Sequence, residues 1–384
     1  MEWLVWLLSA SGAAVWGTVL LHPARPWGVR ERLEAPNDPE SAELGDVTAV
    51  IPARDEAACI GRTLRALERQ GTGLRILVVD DGSRDGTARA ARQAASGNVE
   101  VVPAGPLPAG WQGKLWALEQ GVRRAGTPYL LFLDADIELA PGLLPALRTK
   151  LRVEHRCLVS LMATLRMENG WERLLLPAFV FFFKLLYPFA LVNRRRSRMA
   201  GAAGGCMLLD AEALGKSGGL EAIRNVVIDD CTLARHVQEG GGTLWLGLSR
   251  SVRSRRSYRR LADIRDMVAR TAFSQLRYSA ALLVVASLVL VAVCWGPLLG
   301  LAAGSGPGGR LLGVLGLLAM VGTYFPTLRF YGFRGLRALT LPLAGTLFLT
   351  TTWASAWRYW RGIRTRWKGR TYGREAVGKS ESGE

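Results

Sequence analysis

The run Tyr129-Leu-Leu-Phe-Leu133, followed at once by Asp134-Ala-Asp136, narrows the folds open to this chain more than any other stretch. Five uninterrupted, mostly large apolar residues fit a short strand buried on both faces, the pattern of a parallel sheet covered by helices. Carboxylates at the C-terminal end of such a strand fall where open α/β sheets bind ligands. Asp134 and Asp136 also offer two hard oxygen donors, enough for a divalent ion completed by water and substrate phosphate. Taken alone, Asp-x-Asp is more often a helix cap beside a solvated carboxylate, so its surroundings decide.

Those surroundings alternate. Residues 47–51 predict a strand, 56–70 a helix, and 74–79 a strand ending in Asp80-Asp81. Asp85 caps a helix running to about residue 96, and residues 99–102 form a short strand. Residues 113–125 are helical, and 158–163 are a further strand. Strands alternating with helices predict βαβ units and a mostly parallel sheet.

The two ends of the chain differ from this middle. Thirteen Trp and 44 Gly in 384 residues, with a net charge of +17, do not suit an ordinary soluble domain. Such a basic balance admits nucleic acid, anionic lipid or a phosphorylated substrate as partner. Residues 3–21 are apolar and long enough to span a bilayer. Glu2 and the lack of a preceding Lys or Arg argue against a signal peptide. His22, Arg25, Arg30 and Arg32 follow, which places the next segment in the cytoplasm by the positive-inside rule. Residues 1–22 are therefore expected to be an anchor and 23–46 a linker.

Three further apolar stretches, 279–303, 311–331 and 336–357, read as transmembrane helices, and 358–384 as a basic tail ordered only in part. Three spans would leave that tail outside, against the positive-inside rule. Either the last stretch, broken by Pro342, is re-entrant, or one of the three does not cross. Residues 171–192 are aromatic and apolar but carry Glu172, Arg173, Lys184 and two prolines. A helix in the membrane interface fits them, with a buried core helix as the alternative. The basic runs 194–198 and 250–260 suit anionic head groups. Five cysteines without Cys-x-x-Cys spacing suggest neither a zinc site nor a disulfide framework, and point to a reducing compartment.

Further strand-end motifs accompany Asp134-Ala-Asp136. They are Ile51-Pro-Ala-Arg-Asp-Glu56, Val78-Val-Asp-Asp-Gly-Ser-Arg-Asp-Gly-Thr87, Trp111-Gln-Gly-Lys-Leu-Trp116, Ala203-Gly-Gly-Cys-Met207 and Val227-Ile-Asp-Asp-Cys231. Carboxylates at strand ends accept hydrogen bonds from base N–H groups or ribose hydroxyls, and glycines let a ligand approach the backbone. In this order the motifs resemble the inverting family 2 glycosyltransferases, whose GT-A fold binds nucleotide sugars. The likeness covers roughly residues 46–278. It implies an α/β, Rossmann-like GT-A domain over residues 47–278, facing the cytoplasm and tethered by transmembrane helices.

The resemblance also assigns roles. Pro52, Ala53, Asp55 and Asp81 would contact the uracil or ribose, Lys114 the ribose or diphosphate, and Asp134 the ribose. Asp136, with Asp134, would ligate Mg2+ or Mn2+ on the diphosphate. Gly204 and Gly205 would line the sugar and acceptor site. Asp230 would be the general base, with Asp229 standing where the family usually has Glu. Arg277, in a shortened Gln275-Leu-Arg-Tyr278, would face the diphosphate or anchor the next membrane helix. Residues 106–116, 171–183, 203–207 and 276–279 are similar to the bacterial hopene-associated glycosyltransferases. That implies a UDP-sugar donor, a lipid acceptor and the inner membrane of a bacterium, with no nucleic acid partner. A polyprenyl-phosphate or other glycolipid acceptor is the alternative. A nucleotidyltransferase would need a glycine-rich basic loop where Ala53-Arg-Asp-Glu56 stands. A non-catalytic scaffold or transporter component would leave the motifs without a role, and the apolar helices lack a transporter's paired charges.

Overall fold

The computed structural model describes residues 2–304 and 306–373. After helix α1 (Glu2–Leu21) and the linker come β1 (Val47–Ala53), α2 (Ile60–Glu68), β2 (Arg75–Asp80), α3 (Thr87–Ala94) and β3 (Val99–Pro103). Then follow α4 (Gly113–Ala125), β4 (Tyr129–Leu133), β5 (Ile137–Leu139), α5 (Leu143–Val153) and β6 (Leu158–Thr164). The α/β expectation holds, with helix α2 starting later than expected because residues 54–59 form the turn that enters the site.

The chain continues through α6 (Gly170–Leu186), α7 (Phe189–Val192), β7 (Cys206–Asp210), α8 (Ala211–Lys216), α9 (Asp229–Glu239) and β8 (Leu244–Ser254). The eight strands form one sheet in the order β3-β2-β1-β4-β7-β6-β8-β5. β3, β2, β1 and β4 are parallel, and β7 runs antiparallel between β4 and β6. All seven residues of β1 are buried, as a central strand in a covered sheet should be, with the hydroxyl of Thr48 donating to Ala125 O. Pro52 is tolerated in this central strand because it lies beyond Val50↔Phe132, the last β1–β4 pair. Helix α4 crosses β1 at backbone range: a Cβ on Gly121 would fall 2.2 Å from Val50 Cγ1. That close crossing aims the start of α4, and Lys114 with it, at the strand ends.

Helix α6 begins with a capping box, Asn169 accepting from Glu172 N at 3.0 Å and Glu172 accepting from Asn169 N at 3.2 Å. Part of its aromatic run packs against protein, while Phe179, Phe182 and Phe183 stay partly exposed. Phe181 is fully buried between Trp16 of α1 and Tyr324, and Phe182 meets Phe348. The helix thus joins the sheet domain to the apolar helices.

Helices α10 (Leu261–Ala269) and α11 (Ala272–Gln275) lead to α12 (Ala280–Ala303), α13 (Gly306–Phe330) and α14 (Leu341–Trp360). Among the described residues, four stretches are long and apolar enough to cross a membrane: Glu2–Leu21, Gly170–Val192, Ala280–Ala303 and Gly306–Phe330. α14 does not qualify. α13 starts five residues before the expected point, because Pro307 sits in its first turn, where proline is favoured rather than helix-breaking. α1, α12 and α13 pack through small residues. Ser9 Oγ donates to Gly296 O at 3.1 Å, and Trp16 Nε1 to Val293 O at 2.8 Å.

The basic tail was expected to be only partly ordered. Residues 363–373 instead form a hairpin, β9 (Ile363–Trp367) paired antiparallel with β10 (Arg370–Gly373), which reaches back to the ends of β1 and β2. Its two-residue turn, Lys368-Gly369, has φ of +45° and +81°, as a type I′ turn requires. Residues 374–384 of the tail lie outside the described residues.

Candidate active site

A cavity of about 560 Å3 opens at the C-terminal ends of β1 and β4 and is walled on its far side by α6, α9 and α10. Its size and position suit a small ligand at the edge of an α/β sheet.

Antiparallel pairing of β4 with β7 brings Gly205 beside Asp134, whose N–H donates to Gly205 O at 3.1 Å. Lys114 Nζ lies 3.1 Å from Asp134 Oδ1 and 3.2 Å from Asp229 Oδ2. Burial alone would lower the Lys114 pKa, but Asp134, Asp229 and Asp230 outweigh it and raise it. Lys114 therefore stays charged and joins the Asp-x-Asp motif to the later Asp-Asp pair.

Asp136 is 5% exposed. Ser254 Oγ donates to its Oδ2 at 2.6 Å, and Arg256 Nη2 stands 3.4 Å from Oδ1. Among the described residues no group of three or more His, Cys, Asp or Glu side chains gathers as a ready cation cage. Asp134 and Asp136 do fit Mg2+ or Mn2+ as a two-carboxylate set on one cavity wall, the arrangement in which phosphate and water complete the shell.

Asp229 and Asp230 open α9. Asp230 accepts from Gly204 N at 2.9 Å and Cys231 N at 2.7 Å. A side chain at position 204 would crowd it, since a Cβ there would lie 3.1 Å from Asp230 Oδ2. Burial and then the Asp229 charge push the Asp230 carboxyl up to about 6, against Lys114. Burial acts the same way on Asp229, but Lys114 and Arg270 outweigh it and hold its pKa below the ordinary value. Two adjacent carboxylates with separated proton affinities are the pattern of assigned acid–base roles.

Beyond the ends of β1 and β2, Asp55 adopts φ +51° and ties two turns together. Its N–H donates to Ser83 Oγ at 3.0 Å, and its Oδ1 accepts from Arg84 N at 2.8 Å. Pro52 lines the cavity, while Ala53 is fully buried behind it. Asp81 and Arg277, two of the expected contact residues, do not line the cavity. Asp81 is only 1% exposed, and Arg370 Nη1 donates to its Oδ1 at 2.8 Å and its Oδ2 at 2.7 Å, so its carboxylate holds the C-terminal hairpin. Arg277 is exposed at the head of α12 and does not line the cavity, because the φ values of +51° and +56° at Arg277 and Tyr278 turn the chain there.

Sequence reasoning missed Glu56, Ser254, Arg256 and Arg270 as cavity residues. Arg256 belongs to the basic run read as lipid-binding, yet it faces inward onto Glu56 and Asp136. Only the pairing of β8 with β5, which carries Asp136's neighbour Ile137, puts it there. The hairpin residues Lys368 and Arg370 were also missed, although Lys-Gly between two strand-forming runs is a turn signal.

The family model for glycosyl transferase family 2 matches residues 48–218, ending before Asp229 and Asp230. The 4,4'-diaponeurosporenoate glycosyltransferase of Staphylococcus aureus is 40% identical over 91 residues. Those residues are 24% of this chain and 24% of that protein, so the likeness spans about a quarter of either. A mannosyltransferase from Pyrobaculum calidifontis, solved with GDP-mannose and Mn2+, superposes with a TM-score of 0.56 at 19% identity, over 92% of this chain and 99% of that one. The superposition speaks for the fold alone. Residues 48–218 thus match the glycosyl transferase family 2 model, and they lie in a mostly parallel α/β sheet of the GT-A type.

Proposed function

We propose that the protein moves a sugar from a UDP-linked donor to the hydroxyl of a membrane lipid, with inversion at the anomeric carbon. The observation that carries this reading is the double ion pair of Lys114. One ammonium touches a carboxylate of the donor motif at 3.1 Å and a carboxylate of the Asp-Asp pair at 3.2 Å. Donor and base therefore belong to one cavity. A lipid acceptor is supported by the apolar part of that cavity, where Phe179 and Phe183 of α6 and Met267 of α10 stand. A hopanoid is the acceptor we favour, on the motif likenesses in α6 and the 203–207 stretch.

The residues act as follows. Asp55 and Pro52 bound the nucleoside end, and Lys114 orients the ribose side of the diphosphate. A divalent cation shared by Asp136, Asp134 and the diphosphate would neutralise charge on the leaving group. Asp230 accepts the acceptor's hydroxyl proton while that oxygen forms its bond to C1. The bond from C1 to the diphosphate oxygen breaks on the opposite face, and the electron pair leaves with the diphosphate. Asp229, ionised and paired to Lys114, raises the affinity of Asp230 for that proton.

The membrane arrangement follows the same logic. Arg25, Arg30 and Arg32 after α1 favour a cytoplasmic domain. The hairpin at 363–373 meets that domain, so an even number of crossings separates them. α12 and α13 cross, and α14 does not, which removes the conflict over the basic tail. Leu288 and Leu318, exposed on α12 and α13, would then face lipid. The test is to incubate membranes carrying the protein with radiolabelled UDP- and GDP-sugars and extract the lipids, with Asp230→Asn as control. Label in a lipid product, absent with the variant, supports the reading. Label confined to water-soluble products, or equal with the variant, refutes it.

A further inference from the structure

The segment that follows the last long helix enters the site, and the reading above gives it no role. Arg370 and Arg54 hold it down. Arg370 grips the buried Asp81 through both carboxylate oxygens, and Arg54 Nε donates to Lys368 O at 3.0 Å. At the tip of the turn, Lys368 Nζ stands 2.7 Å from Glu56 Oε1 and donates to Asp55 O at 3.1 Å. Glu56 Oε1 is also 2.5 Å from Arg256 Nη2, which stands 3.4 Å from Asp136. A line of alternating charges thus runs from the nucleoside end of the cavity to the Asp-x-Asp end. Lys368 is the cation at the end of this line away from Asp136, on the cavity wall.

The backbone adds a second argument. The first position of a type I′ turn favours Asn, Asp or Gly, yet a lysine is held there at φ +45°. Such strain persists only where the surroundings hold it, here through the contacts of Lys368 with Glu56 and the Asp55 carbonyl. An ammonium at this point suits a group with more acceptor oxygens than Glu56 alone supplies, and Glu56 keeps Arg256 when Lys368 turns away.

We propose that Lys368 is a donor-binding residue whose ammonium contacts the diphosphate, delivered to the site by a hairpin that Arg370 and Arg54 latch onto Asp81. This rests on the nucleotide-sugar reading above, and it makes residues beyond the family 2 domain part of the donor site.

The experiment titrates UDP, GDP, uridine and guanosine calorimetrically into the full-length, detergent-solubilised protein, as wild type, Lys368→Ala, Lys368→Gln and Lys368→Arg, with melting curves for each. Loss of a charge-assisted hydrogen bond should weaken nucleoside diphosphate binding about tenfold in the Ala and Gln variants. Nucleoside affinity should not move, and Lys368→Arg should recover most of the loss. Unchanged diphosphate affinity in both neutral variants overturns the proposal. Tighter binding overturns it too, and makes the hairpin a plug. Parallel loss of nucleoside affinity also overturns it, by showing a merely structural effect. A wild type that binds neither diphosphate refutes the donor reading itself, and the proposal with it.

Discussion

Replacing Asp230 with asparagine should separate the chemical step from donor binding. The side chain is held by two backbone donors, Gly204 N at 2.9 Å and Cys231 N at 2.7 Å. Its pKa rises from 3.8 to about 6 through burial and the Asp229 charge. Holding the ionised side chain there costs the folded state on the order of a few kcal/mol. Because the folded value is the higher one, this cost is absent below pH 3.8 and complete above about 6. Asparagine removes that cost but turns an NH2 toward one backbone donor, a mismatch of about 1–3 kcal/mol. The two effects nearly cancel at about pH 7.5, so the melting temperature there should stay within a few degrees of wild type. At about pH 4, where wild-type Asp230 is protonated, the variant should be the less stable protein. Transfer should fall about 10²–10⁴-fold at unchanged donor affinity, because the amide cannot take the proton. For wild type, turnover should drop as pH falls below about 6, following protonation of Asp230. The assay is single-turnover transfer to extracted lipid beside donor calorimetry, with Asp229→Asn in parallel. Near-wild-type transfer by Asp230→Asn with a dead Asp229→Asn would reverse the assignment within the pair. Activity in both variants would place the base elsewhere.

Asp136→Asn removes one of two carboxylates offered to a divalent cation, and turnover should fall on the order of 100-fold or more; full activity in EDTA would refute that role. Gly204→Ala puts a Cβ 3.1 Å from Asp230 Oδ2, so the base must shift, and transfer should drop about tenfold while donor binding holds; unchanged transfer would show that Asp230 is not position-sensitive. Phe181→Ala opens a hole between Trp16 and Tyr324 and should cost about 3–5 kcal/mol, read as a large fall in melting temperature. Phe183→Ala, on the cavity wall, should instead weaken transfer to lipid more than it lowers melting temperature; identical melting losses would assign both residues to the core.

The sheet domain was legible because its strands must be buried on both faces. Tyr129–Leu133 satisfies that as an unbroken run without a charge, and Val47–Ala53 as a run whose one hydroxyl, on Thr48, is hydrogen-bonded; the carboxylates beyond their ends follow from the chain's direction. α4 was readable to the residue, from the glycines that bound it and the apolar face between them. Local sequence also marked Asp134, Asp136, Asp229 and Asp230, since each sits at an element's end. It did not join the two pairs, because a salt bridge from Lys114 to Asp229, over 115 residues of chain, depends on how β7 inserts between β4 and β6. The aromatic run of α6 carries the same composition whether it meets lipid or protein, and only tertiary packing brought Phe181 against α1 and α13 and Phe182 against α14. The basic segments were the least readable of all. Arginine and lysine stems suit solvent, lipid head groups and buried carboxylates alike, so Arg256, Lys368 and Arg370 acquired their places only when folding carried Glu56, Asp136 and Asp81 to meet them.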